Sequence, residues 1–201
     1  MRKLLYSISA VTIIFINGCS TDKNSVSLKQ HSVAALSNVN ISPYKSQMLY
    51  YINQLRGGKA KCSPPAPPLK WNESLEKAAT AHSRDMAINH MLSHSGSGTS
   101  YDVAKPMPGT SSSFIDRINY FGYKTKEYML VGENITTVPI SKTKTPDLMA
   151  NFKHAVDNIV NDKTHCEILM NPRFQYIGMG MYKTNDKYYF TMDLAEAEKN
   201  K

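Results

Sequence analysis

The chain has 201 residues, 41% of them hydrophobic and 20% charged, with 24 Lys and Arg against 16 Asp and Glu. That length fits one domain with extensions, and the ordinary apolar share excludes a wholly disordered chain and a disulfide-dense miniprotein. The formal charge of +8 is scattered rather than gathered into a basic run, so no nucleic-acid partner is expected, only a weak attraction to anionic lipid or polysaccharide.

The first residues, "MRKLLYSISAVTIIFINGC", carry Arg2 and Lys3, then a mostly apolar run from Leu4 to Ile16, then Gly18 and Cys19. The pattern predicts a secretory signal over 1–18. The run is too short to span a bilayer, which takes about 20 apolar residues. "INGC" resembles a bacterial lipobox, with Asn17 an unusual residue inside it, and predicts lipidation of Cys19 and membrane attachment there. The alternative is a plain signal peptide with Cys19 lost or buried. Removing Arg2 and Lys3 from 24 basic residues leaves 22 against 16 acidic, a mature charge of +6. Ser20 after the cysteine is compatible with outer-membrane sorting in a Gram-negative cell. The expected location is therefore the cell envelope, lipid-anchored and extracytoplasmic.

With Cys19 lipidated, Cys62 and Cys166 remain, and two cysteines in an oxidising compartment are expected to pair. A bridge across their 104-residue separation would stabilise the fold by about 4–5 kcal/mol in the chain-entropy picture. Two unpaired buried cysteines are the alternative. A catalytic Cys166 with His165 as base is disfavoured, because adjacent side chains diverge on a strand or a helix.

Residues 19–42, rich in Ser, Asn and Val, read as the lipidated terminus and a tether, and 43–195 as the folded domain, leaving 196–201 as a tail. "SPYKSQMLYYINQLRGG" places Met48, Leu49, Ile52 and Leu55 at helical spacing, ended by Gly57 and Gly58. "KCSPPAPPLKW" is extended by its prolines. In "NESLEKAATAHSRDMAINHM" Asn72 caps a helix whose inner face carries Leu75, Ala78, Ala79, His82 and Met86, which makes His82 a core histidine. A long Gly-, Ser- and Pro-rich loop follows. "SFIDRINYFGY" predicts a short helix ended by Gly122, "MLVGENITTV" a strand, and "TPDLMANFKHAVDNIVND" a helix with a Thr-Pro start. "YIGMGMY" and "KYYFTMDL" predict a hairpin through "KTND", with Ile177, Met179 and Met181 on one face and Gly178 and Gly180 on the other, where something large can approach. Mixed helices and antiparallel strands without a βαβ repeat predict an α+β layered fold.

Four polar residues fall in predicted loops or element ends: His94, Glu133, Asp162 and His165. Two imidazoles and two carboxylates suit zinc or another divalent cation, and Asp162 and His165, three apart, can share a helical face. Spacing alone does not bring His94 and Glu133 to them.

"PPLKWNESLEKAATAHSRDMAINHMLSHSG", "DRINYFGY", "VGENI" and "HCEILMNPRFQYIGMGMY", in that order, resemble the bacterial branch of the CAP superfamily (cysteine-rich secretory protein, antigen 5 and pathogenesis-related, or SCP, domain) over about Ser46 to Asp193. The resemblance implies an α-β-α sandwich with a small central antiparallel sheet, and a cleft lined by two histidines and two acids. His94, His165 and Glu133 match three of that tetrad; Asp162 stands where eukaryotic members have a second glutamate and bacterial members often serine. It also implies a Cys62–Cys166 bridge. Family members usually carry tryptophan at the position of Ile159, glycine at that of Thr164, and a different last strand from "YFTMDLA". Asp162 is one methylene shorter than glutamate, which limits its reach.

The expected function is an envelope lipoprotein that binds a lipid or cell-wall ligand in this cleft without turnover. One alternative is a metal-dependent hydrolase in which His94, His165 and Asp162 hold the ion and Glu133 is general base. No HExxH spacing occurs, and a Ser95 nucleophile beside His94 fails on adjacency. The other alternative is a purely structural envelope protein.

Overall fold

The computed structural model describes residues 37–140 and 147–197, so the signal segment, Cys19, most of the expected tether and the last four residues lie outside the described residues. No helix among the described residues is long and apolar enough to cross a membrane.

The centre is a sheet of β1 (Ser37–Asn38), β2 (Lys70–Trp71), β3 (Val131–Pro139), β4 (Tyr176–Lys183) and β5 (Lys187–Ala195). The order is β1-β4-β5-β3, with β2 also on β4. All pairings are antiparallel except the two-residue β2–β4 pair, which is parallel. The fold begins earlier than Pro43, since Ser37 and Asn38 pair with Lys183 and Tyr182. It also runs into the expected tail, where the Glu196 N–H donates to the Leu130 carbonyl at 2.9 Å.

Helices cover both faces, as the α-β-α arrangement requires. On one side Met48 and Ile52 of α1 (Lys45–Gln54), Phe152, Val156 and Ile159 of α4 (Leu148–Asn161), and Cys166 and Leu169 of α5 (Lys163–Leu169) pack with Ile177, Met179, Met181, Phe190, Met192 and Leu194. On the other, α2 (Glu73–Ile88) and α3 (Phe114–Tyr120) cover the sheet through Leu75, Ala78, Met86 and Ile118. The alternation along β4 thus sends its methionines to one layer and its glycines to the other.

Gly178 and Gly180 let α2 approach with its backbone: a Cβ on Gly178 would overlap the Glu76 amide, and one on Gly180 the Thr80 amide. Asn72 caps α2 by accepting from the Ser74 and Leu75 amides, and all five expected inner-face residues are buried. Two helix ends differ from their sequence signals. The first helix leaves α geometry at Gln54 and closes in a π-turn, Leu55–Lys59, where Gly58 takes φ +116°. α4 is capped by Asp147, whose carboxylate accepts from the Met149 and Ala150 amides, so the competent N-cap acceptor lies one residue after the Thr-Pro pair.

Cys62 and Cys166 are bridged, with Cα atoms 6.2 Å apart, fixing α5 to the chain ahead of the proline-rich segment. Fully buried Arg56 adds a second brace. It donates to the carbonyls of Pro67 at 2.8 Å, Leu169 at 2.5 Å, Asn171 at 3.2 Å and Phe174 at 3.4 Å. Burial pulls its pKa down to about 10.

Because backbone cannot yield to a methyl group, Gly180→Ala should cost about 3 kcal/mol. A lowered urea midpoint at unchanged slope checks this; a midpoint equal to that of the parent would show that α2 can lift from the sheet.

Candidate functional site

Glu133 lies in β3 with its side chain fully buried on the α2 side of the sheet. A carboxylate removed from water must be matched by charge and hydrogen bonds. Arg117 of α3, 3% exposed, donates from Nη2 to Oε2 at 2.7 Å. His94 faces the other oxygen, Nδ1 to Oε1 at 2.8 Å, while half its side chain stays in solvent. Burial pushes the Glu133 carboxyl up, but the His94 hydrogen bond and the Arg117 charge outweigh it and hold the group below the usual carboxylate range.

The same guanidinium fastens the long loop. Arg117 donates to the His94 carbonyl at 2.9 Å and to the Ser112 carbonyl and hydroxyl at 3.2 and 3.0 Å. Asp85, buried on α2, accepts from the Ser97 amide at 2.8 Å and the Ser97 hydroxyl at 2.6 Å. Asp102 accepts from the Gly98 and Ser112 amides at 3.1 and 2.8 Å. His82 is a core residue, as expected, with Nε2 at 2.8 Å from the Ser93 carbonyl and 3.9 Å from Glu133. It is only half satisfied, because its Nδ1 has no partner among the described residues. Burial lowers its pKa, so the ring is held neutral.

Opposite Glu133 on β5 stands Asp193, completely buried, with no hydrogen-bond donor to either oxygen among the described residues, so that only a protonated Asp193 can bond, by donating to Glu133. Burial, then the facing Glu133 charge, raises its pKa well above the normal value. One interior thus holds two facing acids shifted in opposite directions, of which only Glu133 accepts a hydrogen bond from Arg117.

The other half of the sequence-derived tetrad is a local pair. Asp162 caps α5, its Oδ1 accepting from the His165 amide at 2.9 Å and lying 3.0 Å from His165 Nδ1. The backbone hydrogen bond from His165 holds the Asp162 carboxyl below its ordinary value. Asp162 and His165 therefore sit at one helix turn, and His94 and Glu133 at the sheet edge. No group of three or more His, Cys, Asp or Glu side chains is arranged to hold a metal ion among the described residues. Both oxygens of Glu133 are committed, so the four residues do not form a four-donor shell. What they present is two imidazoles, each with Nδ1 against a carboxylate, an orientation that leaves Nε2 as the ligating atom.

A cleft of about 460 Å³ runs along the end of β3, lined by His94, Leu130, Val131, Gly132 and Glu133 and by Thr164, Glu167, Ile168 and Asn171 of the α5 segment. Phe114 and Phe174 add apolar wall, and Ile168 and Phe174 close over Gly132 so tightly that a Cβ there would press on both. Neither Asp162 nor His165 lines it. A larger groove of about 620 Å³ lies between residues 38–42 and α2, but it contains none of the candidate residues.

Residues 49–194 match the CAP family model, described as the cysteine-rich secretory protein family. The chain belongs to that family. Among solved structures it is similar to an extracellular SCP-domain protein of Bacillus anthracis, at 21% identity and TM-score 0.54, covering 76% of this chain and 40% of that one. It is also similar to an outer surface protein of Borrelia burgdorferi, at 15% identity and TM-score 0.55, covering 81% of this chain and 98% of that one. These likenesses show the shared fold. No curated protein matches the sequence.

Sequence reasoning missed Arg117, Asp85, Asp102 and Asp193. Arg117 was in view within "DRINYFGY", and an arginine among apolar residues of a short helix is a signal of a buried counter-ion. Asp193 carried the corresponding signal, a carboxylate in an apolar strand.

The Asp193 carboxyl titrates higher in the folded chain than unfolded, so it costs stability once pH exceeds about 3.9, and more until pH reaches the folded value. Asp193→Asn should therefore raise the urea midpoint at pH 7, with the gain vanishing below about pH 4. A pH-independent difference would refute the neutral-acid assignment.

Proposed function

We propose that this CAP-family chain is an extracytoplasmic binding module, lipid-anchored through Cys19, whose cleft along β3 takes a lipid or cell-wall ligand without turning it over. The observation that carries the reading is the state of Glu133. Its two oxygens are held by Arg117 and His94, and its pKa is low, so it is a poor proton acceptor and a good structural anchor for the cleft wall. The remaining lining is largely apolar side chain with a few polar groups, the usual make-up of a ligand pocket. The Cys62–Cys166 bridge and the extracellular and outer-surface neighbours support the location.

A neutral apolar fluorophore such as N-phenyl-1-naphthylamine should bind saturably. Phe114→Ala/Ile168→Ala should weaken it about tenfold, the scale of two lost apolar contacts. Tyr50→Ala, in a separate groove between α1 and α4, should leave it unchanged. Equal binding by the parent and the cleft variant would remove the proposal and leave the structural-protein reading.

The second reading, a hydrolase dependent on a divalent cation, is favoured by the two carboxylate-backed imidazoles. His94 and His165 would hold the ion, which when bound would supply an activated water. Glu133 as general base would first have to release Arg117 or His94. Calorimetric titration of Zn²⁺ should give no near-stoichiometric binding. A stoichiometric site abolished in His94→Ala/His165→Ala would reverse the order of the two readings.

A further inference from the structure

The wall of the cleft contributed by Leu130, Val131, Gly132 and Glu133 is four consecutive residues, the last three of them the start of β3. Consecutive residues line a groove only when it runs along the strand's edge, since side chains alone would contribute every second position. Among the described residues β3 is a terminal strand of the sheet, paired only with β5.

The direction of its main-chain groups follows from the two ends of that ladder. The Glu196 N–H donates to the Leu130 carbonyl at 2.9 Å, and the Ile140 N–H to the Asp186 carbonyl at 2.8 Å. Both contacts continue the one register along which β3 and β5 pair from Val131↔Ala195 to Pro139↔Lys187. In an antiparallel pair every second residue exchanges hydrogen bonds with its partner strand. The even-numbered residues therefore face β5, and the N–H and C=O groups of Val131 and Glu133 point outward, into the cleft. Neither residue's main chain has a partner among the described residues.

The two sides of this edge are apolar. Gly132 lies under Ile168 and Phe174 on the α5 side, and on the α3 side Val131 and Phe114 both pack against the cluster that holds Ile118. A strand laid in the cleft would send alternate side chains to the two walls, one set to the apolar α3 side and the other to the α5 side, where Glu167 stands beside Ile168. The charge is one-sided. Glu133 is neutralised by Arg117, whereas Glu167 on α5 lines the cleft half exposed, with only Lys163 at 3.9 Å among the described residues.

We infer that the cleft accepts an extended polypeptide segment, apolar at alternate positions and bearing a lysine or arginine for Glu167, which adds as a strand to the free edge of β3 through the main-chain groups of Val131 and Glu133. The inference rests on the cleft being the ligand site, and it narrows the ligand to one that offers its own N–H and C=O groups at strand spacing. Main-chain hydrogen bonds supply affinity in such a mode, and the side walls supply selectivity. The free edge also needs a cover, because an unpaired strand otherwise invites association with other chains.

The test adds an acetylated, amidated hexapeptide of alternating valine and lysine to the mature, oxidised, ¹⁵N-labelled chain. Two further versions carry N-methyl groups on one or the other alternate set of amides. The parent peptide should shift the Val131 and Glu133 amide resonances and slow their exchange with solvent. One N-methylated version should bind within about threefold of the parent and the other at least about tenfold more weakly, because only one set of amides faces the strand. Glu167→Gln should weaken the parent peptide and lower the salt dependence of its binding. Equal binding by both N-methylated versions, or shifts confined to other surfaces, overturns the inference. So does protection of Val131 and Glu133 in a dimer without peptide, which would give the edge to a second copy. N-phenyl-1-naphthylamine binding with no peptide binding would sink strand addition while the cleft reading stood; neither binding would sink both.

Discussion

The close approach of α2 to β4 is the constraint from which the rest of the site follows. With no side chain at Gly178 or Gly180, the helix backbone rests on the strand, and the polar residues of its inner face are carried into the interior. Asp85 and His82 then meet the following loop from below, one through Ser97 and the other through the Ser93 carbonyl. The position of His94 is therefore set by how deep the helix sits. A loop of more than a dozen residues would ordinarily be mobile; here buried carboxylates tie it at several points.

Burying these groups creates a charge problem, and its solution defines the chemistry of the cleft. Arg117 reaches Glu133 and both ends of the loop, so one guanidinium serves the sheet, α3 and the His94 segment together. Asp193, facing Glu133 with no ion pair among the described residues, keeps its proton to higher pH than an ordinary carboxyl. The arrangement favours a rigid wall over a reactive one, because a carboxylate held by an arginine and an imidazole has little affinity left for a proton. Orphaned polar atoms on His82, Arg117 and Asp193 cluster in the same interior, and a partly satisfied network of this kind is sensitive to any change in charge.

Much of this was legible in the chain. The alternation "YIGMGMY" foretold both layers, the methionines buried on one and the glycines open to a large partner on the other. Asn72 and the Leu75 to Met86 face gave the main helix its start and its inward side. The family motifs implied the fold and the cysteine pairing that the structure contains. Short-range signals misled at the helix ends. Gly57 and Gly58 marked a stop that the chain reaches through a π-turn, and Thr-Pro drew attention from Asp147, whose carboxylate makes the capping bonds.

The sequence by itself determined which segments are helix or strand, which faces are apolar, and which residue types are available for a site, because these depend on periodicity and on bonds within a few residues. It also carried Asp162 and His165 as a pair, since three residues in a helix are neighbours. Tertiary structure decided everything that depends on distance across the chain. It placed Glu133 under Arg117 and His94, left Asp193 with no ion pair among the described residues, kept the two histidine–acid pairs from forming a single four-donor shell, and turned the outward main-chain groups of Val131 and Glu133 toward the cleft. Those outcomes rest on the β3–β5 register and on the depth of α2, and no local pattern encodes either.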